Sequence, residues 1–595
     1  MARRKLPRVP KRIVELVEDL RKKEDRLALA LSLVIGALVG LVVVGFLLLT
    51  GRLGAHVYPA GGPGWRRLVT PIVGSLIAGY LLFRYFPLAR GSGIPQTRAA
   101  VFIHDGRISL RSVIGKFVVT ALTLASGIPL GREGPSVYMG AGLASSIGRR
   151  LGLSRNQIKW LLPVGGAAAL SAAFNTPIAA VLFTLEEIMG DLHAPVLGSV
   201  VIASATSWMV LHLVLGDSPL FQVAGYHLVS PYELLIYALL GIVGGFVAVG
   251  FVKLLLWLRS RFQRLPASTL WLHPVAGGLV VGAFGFFVPQ VMGVGYDQVE
   301  RVLNGDVIIK TVLLLALLKI IAVSVAYASG NAGGIFGPSL FIGAMVGAGV
   351  GGLAHLAFPA STAGPGAYAL VGMGAAFAGV VRAPLTSVIM IFEVTRDYAI
   401  IVPLMIANLI AYYISHKLQR ETVYEALALQ DGLHLPHGAF RAASGLWVTT
   451  ALREPPQALT PEMKVDEATM RFGDSDLESW PVVDDEGGLI GMVRVNDVVD
   501  AATGNQRPVT IATIMKRARA LVKDGGAEIP HVHQDQPLGL ALARMGDTGH
   551  NALPVVSRSN AREMIGIVTL VDVLKAYGVD TTRMTPARGT PVVEE

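Results

Sequence analysis

One long word is spelled twice in this chain. Lys116, Ser126, Gly127, Gly131, Gly134, Pro135, Ser136, Gly140 and Ala141 return 203 positions later as Lys319, Ser329, Gly330, Gly334, Gly337, Pro338, Ser339, Gly343 and Ala344. A second block follows each copy at an offset of 207, where Val164, Gly165, Ala168, Ala169, Pro177, Val181 and Glu186 match Val371, Gly372, Ala375, Ala376, Pro384, Val388 and Glu393. The repeated residues are mostly small or helix-breaking, and they sit in apolar surroundings. Such a pattern constrains the chain to two related halves of a membrane domain, with a transporter-type site where the halves meet.

Composition supports that reading. The 595 residues are 52% hydrophobic and 15% charged, with a mean hydropathy of +0.56. That is too apolar for a soluble protein of this length and too long for one domain. Residues 27–49 carry no charge, enough to cross a hydrocarbon core of roughly 30 Å. Further apolar runs lie near 69–82, 160–185, 194–215, 232–251, 273–292, 311–329, 339–358, 367–393 and 398–413. Several are short or Gly-rich, which predicts tilted, broken or re-entrant helices whose open ends face protein or a water-filled cavity.

The first apolar run starts late and exceeds a signal-peptide core, so no cleavable leader is expected. Six basic and no acidic side chains among the first twelve residues place the N-terminus in the cytoplasm. An even number of crossings puts the C-terminus there too, giving a multi-pass protein of the cell or inner membrane. The net charge of +10 sits mostly at membrane flanks as a topology signal, so no nucleic-acid partner is expected. Zero cysteines exclude disulfides and thiolate chemistry.

The expected organisation is a cytoplasmic N-terminal helix over 1–25, a membrane domain over 26–418, and the end of the last helix with a linker over 419–447. A duplicated soluble α/β module then occupies 448–505 and 506–580, with a flexible tail at 581–595. The duplication shows as Pro481-Val482-Val483 then Gly491-Met492-Val493, against Pro554-Val555-Val556 then Gly566-Ile567-Val568. Each copy reads strand, turn, strand, helix. His531, His533 and Asp535 could suggest a metal, but such a loop trio reads as solvated surface, and no metal is expected.

Three Gly-Pro words carry the chemistry. In Gly131-Arg132-Glu133-Gly134-Pro135, the proline suits the first turn of a helix, whose unpaired N–H groups attract anions. Glu133 sits on the same turn, and an intramembrane carboxylate demands neutralisation or a partner. The bland reading is a helix cap. Gly334-Ile335-Phe336-Gly337-Pro338 keeps the turn without charge, and Gly91-Ser92-Gly93-Ile94-Pro95 adds a hydroxyl donor. Inverted halves would aim two helix tips at one point, with one acid between them.

GSGIP at 91–95, GREGP at 131–135 and GGIFGP at 333–338 resemble the signature words of the CLC family of chloride channels and chloride/proton antiporters. The likeness runs through Ala172 to Pro177 and Phe183 to Glu187, and covers 26–430. It implies an all-α polytopic membrane domain, an inverted repeat of tilted and broken helices, in a homodimer with one pore per subunit. It also implies that Ser92 and Gly93, the amides of Ile335 and Phe336, and the Tyr424 hydroxyl hold chloride, with Gly91, Gly131, Gly134 and Gly334 shaping the corners. Glu133 would be the external gate and proton carrier. Read without the family, Tyr424 is an interfacial aromatic anchor.

Glu186 and Glu187 bear on antiporter against channel. Adjacent acids at a helix end are ordinarily a polar flank. In the family, a glutamate matching Glu187 relays protons from the cytoplasm in most exchangers. Glu186 has a repeat mate in Glu393, which favours a structural role, whereas Glu187 aligns with Val394. Exchange is therefore expected over passive conduction. The resemblance implies chloride as the anion, since nitrate-preferring relatives tend to carry proline at the position of Ser92. Gln96 stands where a glutamate often follows GSGIP. Lys116 and Lys319 either raise the local positive potential or snorkel or bind carbonyls.

The C-terminal duplicate resembles a tandem pair of CBS (cystathionine-β-synthase) domains, which often bind adenine nucleotides (ATP, ADP or AMP). Thr569 and Asp572 match the phosphate- and ribose-binding positions. Asp497 keeps the acid of the first copy, where Arg494 replaces the usual Ser or Thr. The rival expectations are a passive, gated chloride channel of the same fold and a membrane-anchored nucleotide sensor. No required cofactor is expected, and no catalytic cluster stands out for an enzyme.

Overall fold

A computed structural model describes residues 24–579 except 60, 193–195, 218–219, 222, 224–225, 227, 434–445, 474, 476, 504–508, 516–528, 559 and 578. Of the helix expected over 1–25, only the last two residues are described, as the start of the Glu24–Val57 helix. The tail at 581–595 lies outside the described residues, as does part of the linker. The chain forms two compact units, 1–435 and 436–595.

The first unit is helical. Among the described residues, seven helical stretches are long and apolar enough to cross a membrane, including Arg26–Val57, Gly64–Arg84, Leu197–Leu215, Glu233–Gln263 and Ile309–Ala328. Two of the apolar runs are broken at matching places. The Arg155–Phe174 helix stops at Asn175 with φ of 59°, and a new helix starts at Pro177. The Pro365–Val381 helix stops at Arg382 with φ of 66°, and the next starts at Pro384. A left-handed residue ends each helix and a proline reopens the chain two positions on.

Why the glycines repeat is equally local. A Cβ on Gly140 would overlap the carbonyl oxygen of Gly165, and one on Gly343 would overlap that of Gly372. Two helix pairs thus cross with backbones touching, which only small residues allow.

The open helix starts at Pro177 and Pro384 are closed across the repeat. Glu393 accepts from the amides of Ile178 at 2.9 Å and Ala179 at 2.7 Å. Glu186 accepts from the amide of Thr386 at 2.9 Å and its hydroxyl at 2.7 Å. Each half supplies the anionic cap of the other, a favourable charge at a helix N-terminus.

The second unit holds two copies of one motif. Ser479–Val483 pairs antiparallel with Leu489–Arg494 and leads into the Val495–Thr503 helix. Ala552–Val556 pairs with Met564–Thr569 and leads into the Leu570–Ala576 helix, with Leu452–Arg453 added at the edge. A helix precedes each hairpin, Val465–Phe472 and Leu538–Thr548. The strands are buried along nearly their whole length, and each copy has its own apolar core, around Val482 and Val493 and around Val555 and Val568.

Candidate functional site

Three corners converge in the core of the first unit. Gly131 and Gly334 form a two-residue antiparallel bridge, with N–H···O distances of 2.6 and 2.7 Å. The two copies of the repeated word therefore meet head on. The Ser92 turn closes against them: a Cβ on Gly93 would stand 2.6 Å from the Gly134 carbonyl oxygen, and one on Gly134 would stand 2.7 Å from that of Ser92. Gly91 and Gly93 have φ of 78° and 105°, values that disfavour any side chain. Gln96 accepts from the Gly93 amide at 2.9 Å and so steadies that helix start.

From these corners start the helices Ile94–Phe102, Glu133–Arg150 and Phe336–Ala357. The last is fixed by Phe336, whose ring packs on Phe174, Phe183 and Phe377 with centroids 4.6, 5.5 and 4.3 Å away. Their first turns present amides that have no intrahelical partner.

Glu133 is fully buried. Its Oε2 accepts from the Gly337 amide of the opposite corner at 3.3 Å, and its Oε1 accepts from the Tyr296 hydroxyl at 2.6 Å. A carboxylate thus lies across the seam, on the helix tip of the other half. Nearby, Ser92 Oγ and Tyr424 Oη are buried with no hydrogen-bond partner among the described residues. A hydroxyl so placed can donate to an acceptor that enters the site. Tyr424 is carried by the Val423–Gln430 helix, capped reciprocally by Thr422 and Glu425, and is within electrostatic reach of both Glu133 and Glu187. Tyr424 is wholly enclosed, unlike an interfacial anchor.

Glu187 occupies a widened turn at Thr184–Met189. Its Oε1 accepts from Arg98 Nη1 at 2.7 Å, and both side chains are largely buried. Arg98 had no place in the sequence reading, because a lone arginine beside an apolar helix looks like a flank. Lys116 and Lys319 neither snorkel nor stand free. Lys116 Nζ donates to the carbonyls of Gly91 at 2.7 Å and Arg90 at 3.2 Å, while Lys319 Nζ donates to those of Gly293 at 2.7 Å and Val291 at 3.0 Å.

In the second unit, Thr569 Oγ1 donates to Asp572 at 2.6 Å and accepts from the Asp572 amide at 3.2 Å. Arg453 also pairs with Asp572 at 2.8 Å. Asp497 lies 3.5 Å from Arg494. His550 approaches Ser479 at 3.2 Å, and burial pushes it below the ordinary imidazole value, helped by Arg494 and opposed by Asp497. The rings of His531 and His533 lie edge to face with centroids 5.3 Å apart, but the histidines bind the carbonyls of Ile529 and Val556, and Asp535 binds Arg558 at 2.7 Å. No metal-holding group occurs among the described residues.

The family model described as voltage gated chloride channel matches residues 74–416, and that of the CBS domain matches 448–504 and 522–579. A ClcB-like protein of Ralstonia nicotianae, named for a chloride channel, is 34% identical over 63% of this chain and 89% of its own length. The H(+)/Cl(-) exchange transporter ClcA of Salmonella paratyphi B is 31% identical over 69% of this chain and 91% of its own. Among solved structures, a slow cyanobacterial Cl-/H+ antiporter aligns with a TM-score of 0.62 at 26% identity, covering 68% of this chain and 97% of that one. A eukaryotic CLC transporter shares the fold over 92% of this chain and 97% of its own, with a TM-score of 0.59 at 20% identity.

Proposed function

The chain belongs to the voltage-gated chloride channel (CLC) family, whose members are integral membrane proteins, and on that premise we propose that it exchanges chloride for protons. The seat of Glu133 carries this reading: a carboxylate resting on the amide of the opposite corner, where an anion would otherwise bind. In the proposed cycle chloride is held by the hydroxyls of Ser92 and Tyr424 and by the amides of Ile335 and Phe336, beside the Gly93 turn, whose own amide is taken by Gln96. Gly91, Gly131, Gly134 and Gly334 let the backbone approach closely enough. Amide dipoles fixed in a dry site stabilise a bare anion without reorganisation.

Glu133 competes with chloride for that position. Once protonated it loses its attraction to the Gly337 amide and withdraws; on losing the proton it returns and displaces the anion. Glu187 is the internal proton relay, and Arg98 is the fixed cation from which its carboxylate must be released. Two copies form a dimer with separate pores, and both termini face the cytoplasm. The CBS pair modulates transport through an adenine nucleotide at Thr569 and Asp572, which must share Asp572 with Arg453. Asp497 serves the first copy less well, because Arg494 stands in the hydroxyl position.

A second reading, a passive chloride channel gated by Glu133, is favoured by the name of the Ralstonia relative and by the cation held against Glu187. Purified protein in proteoliposomes, with both ions monitored, separates the two. An imposed chloride gradient drives protons uphill through an exchanger; chloride flux without proton movement establishes the channel.

A further inference from the structure

The second half contains a counterpart of the Ser92 turn. Gly293-Val294-Gly295-Tyr296 lies 202 positions after Gly91-Ser92-Gly93-Ile94. Gly293 and Gly295 have φ of 59° and 86°, left-handed like Gly91 and Gly93. Each turn is pinned by its own buried lysine, Lys116 on the Gly91 carbonyl and Lys319 on that of Gly293, both at 2.7 Å. Each opens a helix at its fourth residue, Ile94 or Tyr296. Valine replaces the serine, so this turn offers no hydroxyl at its tip; the hydroxyl comes instead from the first helical residue.

That hydroxyl donates to Glu133 Oε1 at 2.6 Å, the shorter of the carboxylate's two hydrogen bonds. The Tyr296 ring is fixed edge-on against Phe221, with centroids 5.5 Å apart, and lies under the Arg132 guanidinium at 5.3 Å. The titratable and charged groups around the seat are Arg132 on the same turn, Tyr296, Tyr424, and Lys319 beneath the Gly295 turn. Tyr58 meets that turn at Gly293, and Asp297 is exposed beside it. Lys319 is engaged with carbonyls, and Arg132 with the ring face, so the hydroxyl is the side-chain group that grips the carboxylate.

We propose that Tyr296 is a positioning residue that latches the Glu133 gate shut, so that this tyrosine helps set the pH at which transport turns on. The proposal rests on the reading of Glu133 as the gate. A hydrogen bond to a charged acceptor is stronger than one between neutral groups, and it is made only while the ionised carboxylate is seated. Removing the hydroxyl frees the gate over a wider pH range.

Chloride and proton fluxes in proteoliposomes across pH 4.5–8 test this with full-length Tyr296→Phe. The expected result is a rise of half-maximal flux toward neutral pH by about one unit, at 1.36 kcal/mol per unit, with proton coupling kept. In a Glu133→Gln background the same substitution has no effect on the pH profile. Tyr296→Leu, lacking ring and hydroxyl, moves the midpoint the same way. An unshifted profile in Tyr296→Phe overturns the latch even where Glu133→Gln abolishes coupling. If Glu133→Gln keeps its pH dependence and coupling, the gate reading fails first, independently of Tyr296.

Discussion

The two halves of the membrane unit share their architecture and differ in their chemistry. Both stop a helix at a left-handed residue and restart it at proline. Both bury a lysine on a pair of loop carbonyls, and both lend a glutamate to the other. Where they diverge, one side carries a titratable group and its mate an apolar one: Glu133 against Phe336, Glu187 against Val394. Symmetry builds a cage with opposed amide ends, and asymmetry places a proton carrier on one side of it. The lesson is that the departures from the repeat, more than the repeat itself, mark the working groups.

Substitutions can break that division of labour. The largest functional effect is expected from Glu133→Gln, which removes the carboxylate from the seam. Proton coupling disappears, and chloride flux loses its pH dependence while remaining measurable in proteoliposomes. Next come Gly140→Val and Gly343→Val. Each drives a side chain into a carbonyl of the facing helix, and overpacking costs about 1–3 kcal/mol or more. Thermal melting in detergent should fall alike in both, and a large inequality would deny that the crossings are equivalent.

Lys116→Met and Lys319→Met strand two buried carbonyls each, a loss of about 1–3 kcal/mol. Their melting temperatures should drop similarly, but their functional effects should separate. The first weakens chloride binding measured by calorimetry, through the Ser92 turn. The second shifts the pH profile of flux, through the Tyr296 turn. Smallest are Glu186→Gln and Glu393→Gln, each weakening one cap by about 0.5–2 kcal/mol, with chloride affinity unchanged.

Much of this was legible in the residues. The duplicated word announced the seam, because glycines that allow backbones to touch cannot drift without a clash. Glu133 stood out as an acid in apolar surroundings. Tyr296 did not, since Ser92→Val294 and Pro95→Asp297 changes erase the word while the glycine geometry and the lysine anchor survive. Arg98 was hidden because its partner lies 89 residues away, and nothing in local spacing encodes that meeting. The helices ahead of each soluble hairpin were missed for a different reason: Val465–Phe472 and Leu538–Thr548 are only two to three turns long, and short runs give little periodic signal.

The exchanged carboxylates also govern how the chain can be made. The amide of Ile178 waits for an acceptor 215 residues downstream. At about 5–20 residues per second, the ribosome delivers it roughly 10–40 s later. Through that interval the early half is an unfinished socket, with a bare helix tip in a solvent that cannot satisfy it. Its assembly is therefore a partnership between nascent segments, closed only when the late half arrives carrying the missing acid.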